Sequence, residues 1–372
     1  MNHLFKPEHI DFTKEPLFLG SGRNITRLDL NIEQGIADAT KAALGLMWFA
    51  TDFTYQEDAK DYAGMQSPLA FLYLKNLKFQ QMADSVAARS VVECFIPCTT
   101  NPQLETWWYQ HAFFESNVHT QTYAEIVKAL PINAKEVFDS IMIDPNILRR
   151  AQDVMVHFEA LVIENSKMIL RNMYPKIVYN VESHKYAIAF ALYALNILEA
   201  ILFKSSFITT FAFKENGLMN STGDSIKKIL LDEIGHYSMT VNLINRLKSD
   251  PEWIHIFTSI KPRVVQMYAD AIDSDHAWVD HLFEDGVIIL GLSSDSLKGY
   301  VDYNAKVVMT SVGLKPLKEK VFDTCIWAKK YSKSSNVQTA QKEKNSANYL
   351  LGVLDPYVPS EDWDSFIVKE QQ

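Results

Sequence analysis

The sequence predicts an all-α fold, a helical bundle with a buried metal site, on three observations. Apolar residues recur at helical spacing through most of the chain, and alternating strand patterns are nearly absent. Ser67-Pro68, Asn101-Pro102, Asp144-Pro145 and Asp250-Pro251 each place a capping residue before a proline of the first turn. Two Glu–His pairs, Glu115/His119 and Glu233/His236, stand one helical turn apart inside long apolar or aromatic segments. That spacing puts a carboxylate and an imidazole on one helix face. A Glu-x-x-His on each of two helices, with carboxylates from two others, builds a dinuclear metal site in a four-helix bundle.

The expected helices run over 31–52, 68–95, 103–130, 146–173, 183–213, 224–248 and 252–283, with a shorter pair beyond 294 and short connections between them. A hairpin is conceivable at 173–183. The stretch 186–203 is apolar enough to suggest a membrane span, but Asn196 and Glu199 interrupt it, so a helix buried on all sides fits better. After residue 330 the composition turns polar and ends in the acidic, aromatic patch Glu361-Asp362-Trp363-Asp364-Ser365-Phe366. The expected organisation is one helical domain over 1–330 and a flexible tail over 331–372 that docks on a partner.

A chain of 372 residues is long enough for a substantial core. A net charge of −9 with scattered basic residues argues against a nucleic-acid groove. Three cysteines without redox or zinc spacing suggest a reducing, cytoplasmic setting, and the N-terminus lacks the apolar core of a signal peptide.

A Glu–His pair alone is a weak signal. Glu252/His255 has the same spacing but sits at a helix start, where the carboxylate offsets the helix dipole, and Asp273-Ser274-Asp275-His276 reads as solvated surface. The two favoured pairs differ in their apolar surroundings, because a buried carboxylate is costly unless paired or bound to metal. Glu199, among Leu195, Ile197, Leu198, Ala200, Ile201 and Leu202, makes the same point; a salt bridge to a buried Lys or Arg is the alternative. Tyr123 follows His119 by one turn, which brings its ring toward whatever His119 binds. Phe203, Phe207 and Ile229 stand one or two turns from Glu199 or Glu233 and would close a dry box around Tyr123. Gly235, inside a helix at a cost of about 1 kcal/mol, suggests a close approach by a helix or metal.

Over nearly its full length the chain resembles the small, radical-generating subunit of class I ribonucleotide reductase. The resemblance is carried by Lys14-Glu15-Pro16, the run Leu77 to Ser85, Asn196 to Ile201, Asp232-Glu233-Ile234-Gly235-His236 and Leu282 to Gly286. It implies a ferritin-like bundle holding two iron ions per chain, with manganese the other candidate. One ion would be held by Asp84, Glu115 and His119, and the other by Glu199, Glu233 and His236. Tyr123 matches the radical tyrosine, and Phe203, Phe207 and Ile229 its apolar pocket. Trp48, with Asp232 beside the second metal site, matches the start of an electron and proton route. Tyr349 and Glu343 match the tail residues of that route. The implied activity is ribonucleotide reduction, carried out only with a separate large subunit, by a homodimer with no nucleic-acid or membrane partner.

The family spaces its first pair as Glu-x-x-His, whereas three residues separate Glu115 from His119. Matching flanks on both sides make this a one-residue insertion absorbed by a helical bulge. An extra residue within 286–291 and a C-terminus running past Phe366 are the other departures. Two rivals share the ligands. A di-iron hydroxylase or desaturase would not need Trp48 and the tail tyrosine, and a ferritin-type store would predict many metals and no organic radical.

Overall fold

The computed structural model describes residues 4–30 and 32–333. The helices are α1 (Gln34–Gly45), α2 (Gln56–Gly64), α3 (Ser67–Ser90), α4 (Ile96–Cys98), α5 (Pro102–Phe113), α6 (Thr120–Ala129), α7 (Ala134–Ile141), α8 (Pro145–Met173), α9 (Val181–Ile197), α10 (Phe203–Glu215), α11 (Asn220–Ser249), α12 (Ile254–Phe283) and α13 (Ser294–Ser311). Three π segments join consecutive pieces: Val91–Phe95, Phe114–His119 and Leu198–Leu202. Among the described residues β-pairing amounts to two isolated bridges, Phe18 with Thr99 and Ile289 with Leu292.

Helix starts follow the sequence signals. Asn101 accepts from the Leu104 amide at 3.0 Å, and Asp144 accepts from those of Asn146 and Ile147. Ser67 and Asp250 depart from expectation: Ser67 lies in the first turn, with Gln66 at the cap position making no side-chain cap, and the helix after Asp250-Pro251 begins only at Ile254, with Trp253 at its cap position. The expected helix over 31–52 ends at Gly45, and an irregular stretch then carries Trp48 to the 3-10 turn Ala50–Asp52. No hairpin forms at 173–183, where α8 ends at Met173 and Asn180 caps α9 through the amides of Glu182 and Ser183. Beyond 294 there is one long helix and then the 3-10 turn Ile326–Ser332.

One continuous apolar core runs through the bundle. α9, its π segment and α10 form its axis, packed by α8, α11, α12 and α13. The run Val181–Glu215 is long and apolar enough to cross a membrane, yet 94% of its most apolar window is buried in the fold, as a central core helix requires. Packing also continues one residue past the expected domain end. Tyr331 is buried, stacks on Phe211 with ring centroids 3.9 Å apart, and bonds Glu215.

A π turn frees backbone carbonyls from the helical ladder, and buried ones need other donors. Asn165 donates to the carbonyls of Glu93 and Cys94 at 3.0 and 2.8 Å. Asn304 reaches the Ala200 carbonyl at 2.6 Å, and Arg150 reaches that of Leu202 at 3.1 Å. The first and third bulges are therefore held by α8 and α13.

Candidate metal centre

Four stretches of helix supply the site. Asp84 comes from α3, Glu115 and His119 from the π segment after α5, Glu199 from the π segment after α9, and Glu233 with His236 from α11. The expected bulge is present where the extra residue falls. A π turn takes in one residue more than an α turn, so Glu115 and His119 at i,i+4 keep nearly the angular relation of an α-helical i,i+3 pair.

All six side chains are buried, and together with His111 their donor atoms form two groups of four that share Glu115. One group is Asp84, Glu115, His119 and Glu233; the other is His111, Glu115, Glu199 and His236. Within each, the donor atoms lie within 4.8 Å of one another. Glu115 belongs to both: Oε2 is 3.5 Å from His119 Nδ1, and Oε1 is 3.0 Å from His236 Nδ1. Glu233 also spans them, with Oε1 3.2 Å from His119 Nδ1 and Oε2 3.4 Å from His236 Nδ1. Glu115 and Glu233 thus each lie between the two imidazoles, and by proximity Glu233 groups with Asp84 and His119, where the resemblance implies Glu199 and His236.

His111 was absent from the sequence reading. A signal for it existed, since it precedes Glu115 by four residues on one helix face, as Glu115 precedes His119. It also replaces the Lys or Arg partner considered for Glu199, standing with Nε2 2.8 Å from Glu199 Oε1.

The donor set fits metal ions. Both oxygens of Asp84, Glu115 and Glu199, Glu233 Oε1 and His119 Nδ1 are buried without a hydrogen-bond partner. Such a concentration of orphaned acceptors is too costly to persist unless cations or protons occupy it. Without metal, protons take that place. Burial and the nearby Glu115 hold Asp84 well above the ordinary carboxylate range, and burial raises Glu199 to about 7 against the pull of His111. Burial opposes charge on His236, but Glu233 and Glu115 outweigh it and push the ring up to about 10. Oxygen donors with few imidazoles suit iron or manganese better than copper or zinc.

Asp232 follows the other face of α11. Its Oδ2 accepts from Trp48 Nε1 at 2.8 Å and from His119 Nε2 at 3.1 Å. It therefore contacts the first group through His119, where the resemblance implies a place beside the second metal site. That bond fixes the tautomer, leaving Nδ1 of His119 to face the carboxylates.

Tyr123 is fully buried on α6, and its hydroxyl has no hydrogen-bond partner. Burial first, and the charge of Asp84 next, hold its pKa well above the phenol value. Phe203, Phe207 and Ile229 are buried in the same core, with the two phenyl rings edge to face at 5.8 Å. Gly235 is not explained by close packing, since a Cβ there would meet nothing within 4 Å. Asp275, read as surface, is fully buried and ion-paired with Arg150. Glu343, Tyr349 and the acidic aromatic patch lie outside the described residues.

A helical bundle whose centre gathers carboxylates and imidazoles into two groups joined by a shared carboxylate defines a di-metal carboxylate protein. Residues 32–321 match the family model described as "Ribonucleotide reductase, small chain". The chain is 31% identical to the ribonucleoside-diphosphate reductase subunit beta of Haemophilus influenzae, over 97% of this chain and 98% of that one. Among solved structures it resembles the ribonucleotide reductase R2 subunit from Clostridium botulinum, with a TM-score of 0.71 and 23% identity over 86% of this chain and 94% of that one. It also resembles Streptococcus sanguinis dimanganese(II)-NrdF, with a TM-score of 0.63 and 16% identity over 82% of this chain and 96% of that one. The chain belongs to the ribonucleotide reductase small-chain family. Its function is that of the small, beta subunit of class I ribonucleotide reductase, the enzyme that reduces ribonucleotides to deoxyribonucleotides. The family carries a pair of iron or manganese ions and works with a large subunit.

Proposed function

We propose that Asp84, Glu115, His119, Glu199, Glu233 and His236 hold two iron ions, with manganese the alternative, and that Tyr123 stores the oxidising equivalent as a radical. The observation that carries this reading is the pair of donor groups sharing Glu115, next to a buried tyrosine on which Asp84 acts electrostatically. The metal pair with dioxygen supplies a one-electron oxidant. Burial and Asp84 keep the Tyr123 hydroxyl protonated, so its oxidation removes the Oη proton together with the electron. Phe203, Phe207 and Ile229 exclude water and reductants from the ring.

Trp48, Asp232 and His119 form the inner end of the transfer route. Asp232 Oδ2 accepts both N–H groups, so it orients the indole and can take a proton as the indole is oxidised. Glu343 and Tyr349 continue the route to the large subunit, whose nucleotide chemistry this chain's three buried thiols do not provide. The working form is a homodimer in the cytoplasm, with no nucleic-acid or membrane partner. Residues 1–330, with Tyr331 packed against them, form its helical domain, and the chain beyond is its docking tail.

The test is electron paramagnetic resonance after loading metal-free protein with ferrous iron and oxygen. A tyrosyl signal in the wild type and none in Tyr123→Phe is the expected result; a wild type without the signal under both iron and manganese overturns it. Tyr349→Phe keeps the radical and loses turnover with the large subunit.

A further inference from the structure

We infer that His111 is a direct ligand of the second metal ion, bound through Nε2 beside Glu199, Glu115 and His236. The proposal rests on the di-metal reading above and adds a third imidazole to the site.

The geometry around His111 is that of a ligand. Its side chain is fully buried, and neither ring nitrogen has a hydrogen-bond partner. Nε2 stands 2.8 Å from Glu199 Oε1 and 3.6 Å from Glu115 Oε1, yet neither oxygen lies where an N–H would point. Two donors bound to one ion at about 2.1 Å and at right angles stand about 3 Å apart, aimed at the ion and not at each other. Glu199 has the matching property, with both oxygens unpartnered although a nitrogen is close.

The rings agree with this. His111 stacks on His236 with centroids 3.7 Å apart and planes 16° from parallel, so the two imidazoles present their edges on one side. His236 Nδ1 lies 3.0 Å from the same Glu115 Oε1 that faces His111. A purely structural histidine would turn a nitrogen to a carbonyl or hydroxyl oxygen, as His184 does with the Tyr179 hydroxyl and the Asn165 side-chain amide. Trp107 and Trp108 pack near the His111 ring and hold it in place. The first group holds one imidazole and the second two, so the two ions would differ in donor set.

The experiment uses manganese(II) alone. Metal-free full-length protein is titrated with Mn(II), bound metal is counted per chain, and crystals of the loaded wild type are examined by anomalous scattering. Two ions per chain, with His111 Nε2 within about 2.4 Å of one of them, is the expected result. His111→Phe keeps the ring stack and should weaken one of the two sites by more than about 100-fold, beyond the loss typical of an outer-shell partner. Two bound ions with Nε2 more than about 3 Å from both, or a smaller loss in His111→Phe, would overturn the proposal and leave the di-metal reading standing. Fewer than two ions in the wild type, with ferrous iron under anaerobic conditions as with Mn(II), would overturn both. The wild-type crystal decides the question if His111→Phe does not fold.

Discussion

Asp232 Oδ2 accepts the indole N–H of Trp48 at 2.8 Å and the imidazole N–H of His119 at 3.1 Å. One oxygen thus joins a buried imidazole in the bundle centre to an aromatic ring on a segment 184 residues away in sequence from Asp232. Asp232→Asn can keep both hydrogen bonds but has no negative charge to take a proton. Bound metal should stay at the wild-type level, while turnover with the large subunit falls by about 100-fold or more. Full turnover in Asp232→Asn would remove that charge from the route.

Metal loading should release protons. In the metal-free protein His236 is pushed up to about 10 against its burial and carries a proton at neutral pH, whereas a ligating imidazole must be neutral. Affinity should therefore weaken as pH falls. Adding ferrous iron to weakly buffered apoprotein at pH 7 should liberate at least one proton per chain, measured with a pH electrode. Loading without proton release contradicts the ligand role of His236.

Arg150 lies between the ring of Phe79, 3.5 Å from its centroid, and that of Trp278, and it pairs with Asp275 while holding the Leu202 carbonyl. Arg150→Met leaves a buried charge without its partner and should cost about 3–5 kcal/mol in urea unfolding. Adding Asp275→Leu should recover much of that loss. A cost below about 1 kcal/mol for the single variant would show that the pair is not a support of the bulge.

His184 provides a pH dependence away from the metals. Its Nδ1 accepts from the Tyr179 hydroxyl and its Nε2–H donates to Asn165, so the neutral ring is used at both nitrogens. Burial lowers its pKa from 6.5 to about 4. The unfolded chain takes up the proton first, so this contribution is complete above pH 6.5 and is lost as pH falls toward 4. The loss reaches about 3 kcal/mol at pH 4. The stability difference between wild type and His184→Gln should shrink over that window, and a constant difference would exclude it.

Much of the site was legible because its signals are local. Glu233 and His236 need only helical spacing, and Glu199 stands out as a charge in an apolar run; the extra residue before His119, seen against the family's spacing, announced the π turn. Asp84 and Trp48 had no local signal and came from the family resemblance. For Gly235 no neighbouring helix supplies the close approach, since nothing outside its own helix lies within 4 Å of where its Cβ would be.

What the sequence determined by itself was the helical class, most helix starts and the donor types, since periodicity and capping act over a few residues. Tertiary structure decided which donor serves which group. Glu115 and Glu233 each stand between the His119 and His236 rings, and His111 lies against Glu199, because four separate helices converge there. It also decided contacts between distant residues. Asp58 on α2 accepts from the Ser221 and Thr222 amides and so caps α11, whose own cap residue, Met219, offers no side-chain bond. The short polar helix α2 escaped the sequence reading for that reason: its role lies in a partner more than 150 residues away. Distances across a core depend on how helices pack, and helical spacing along the chain does not encode them.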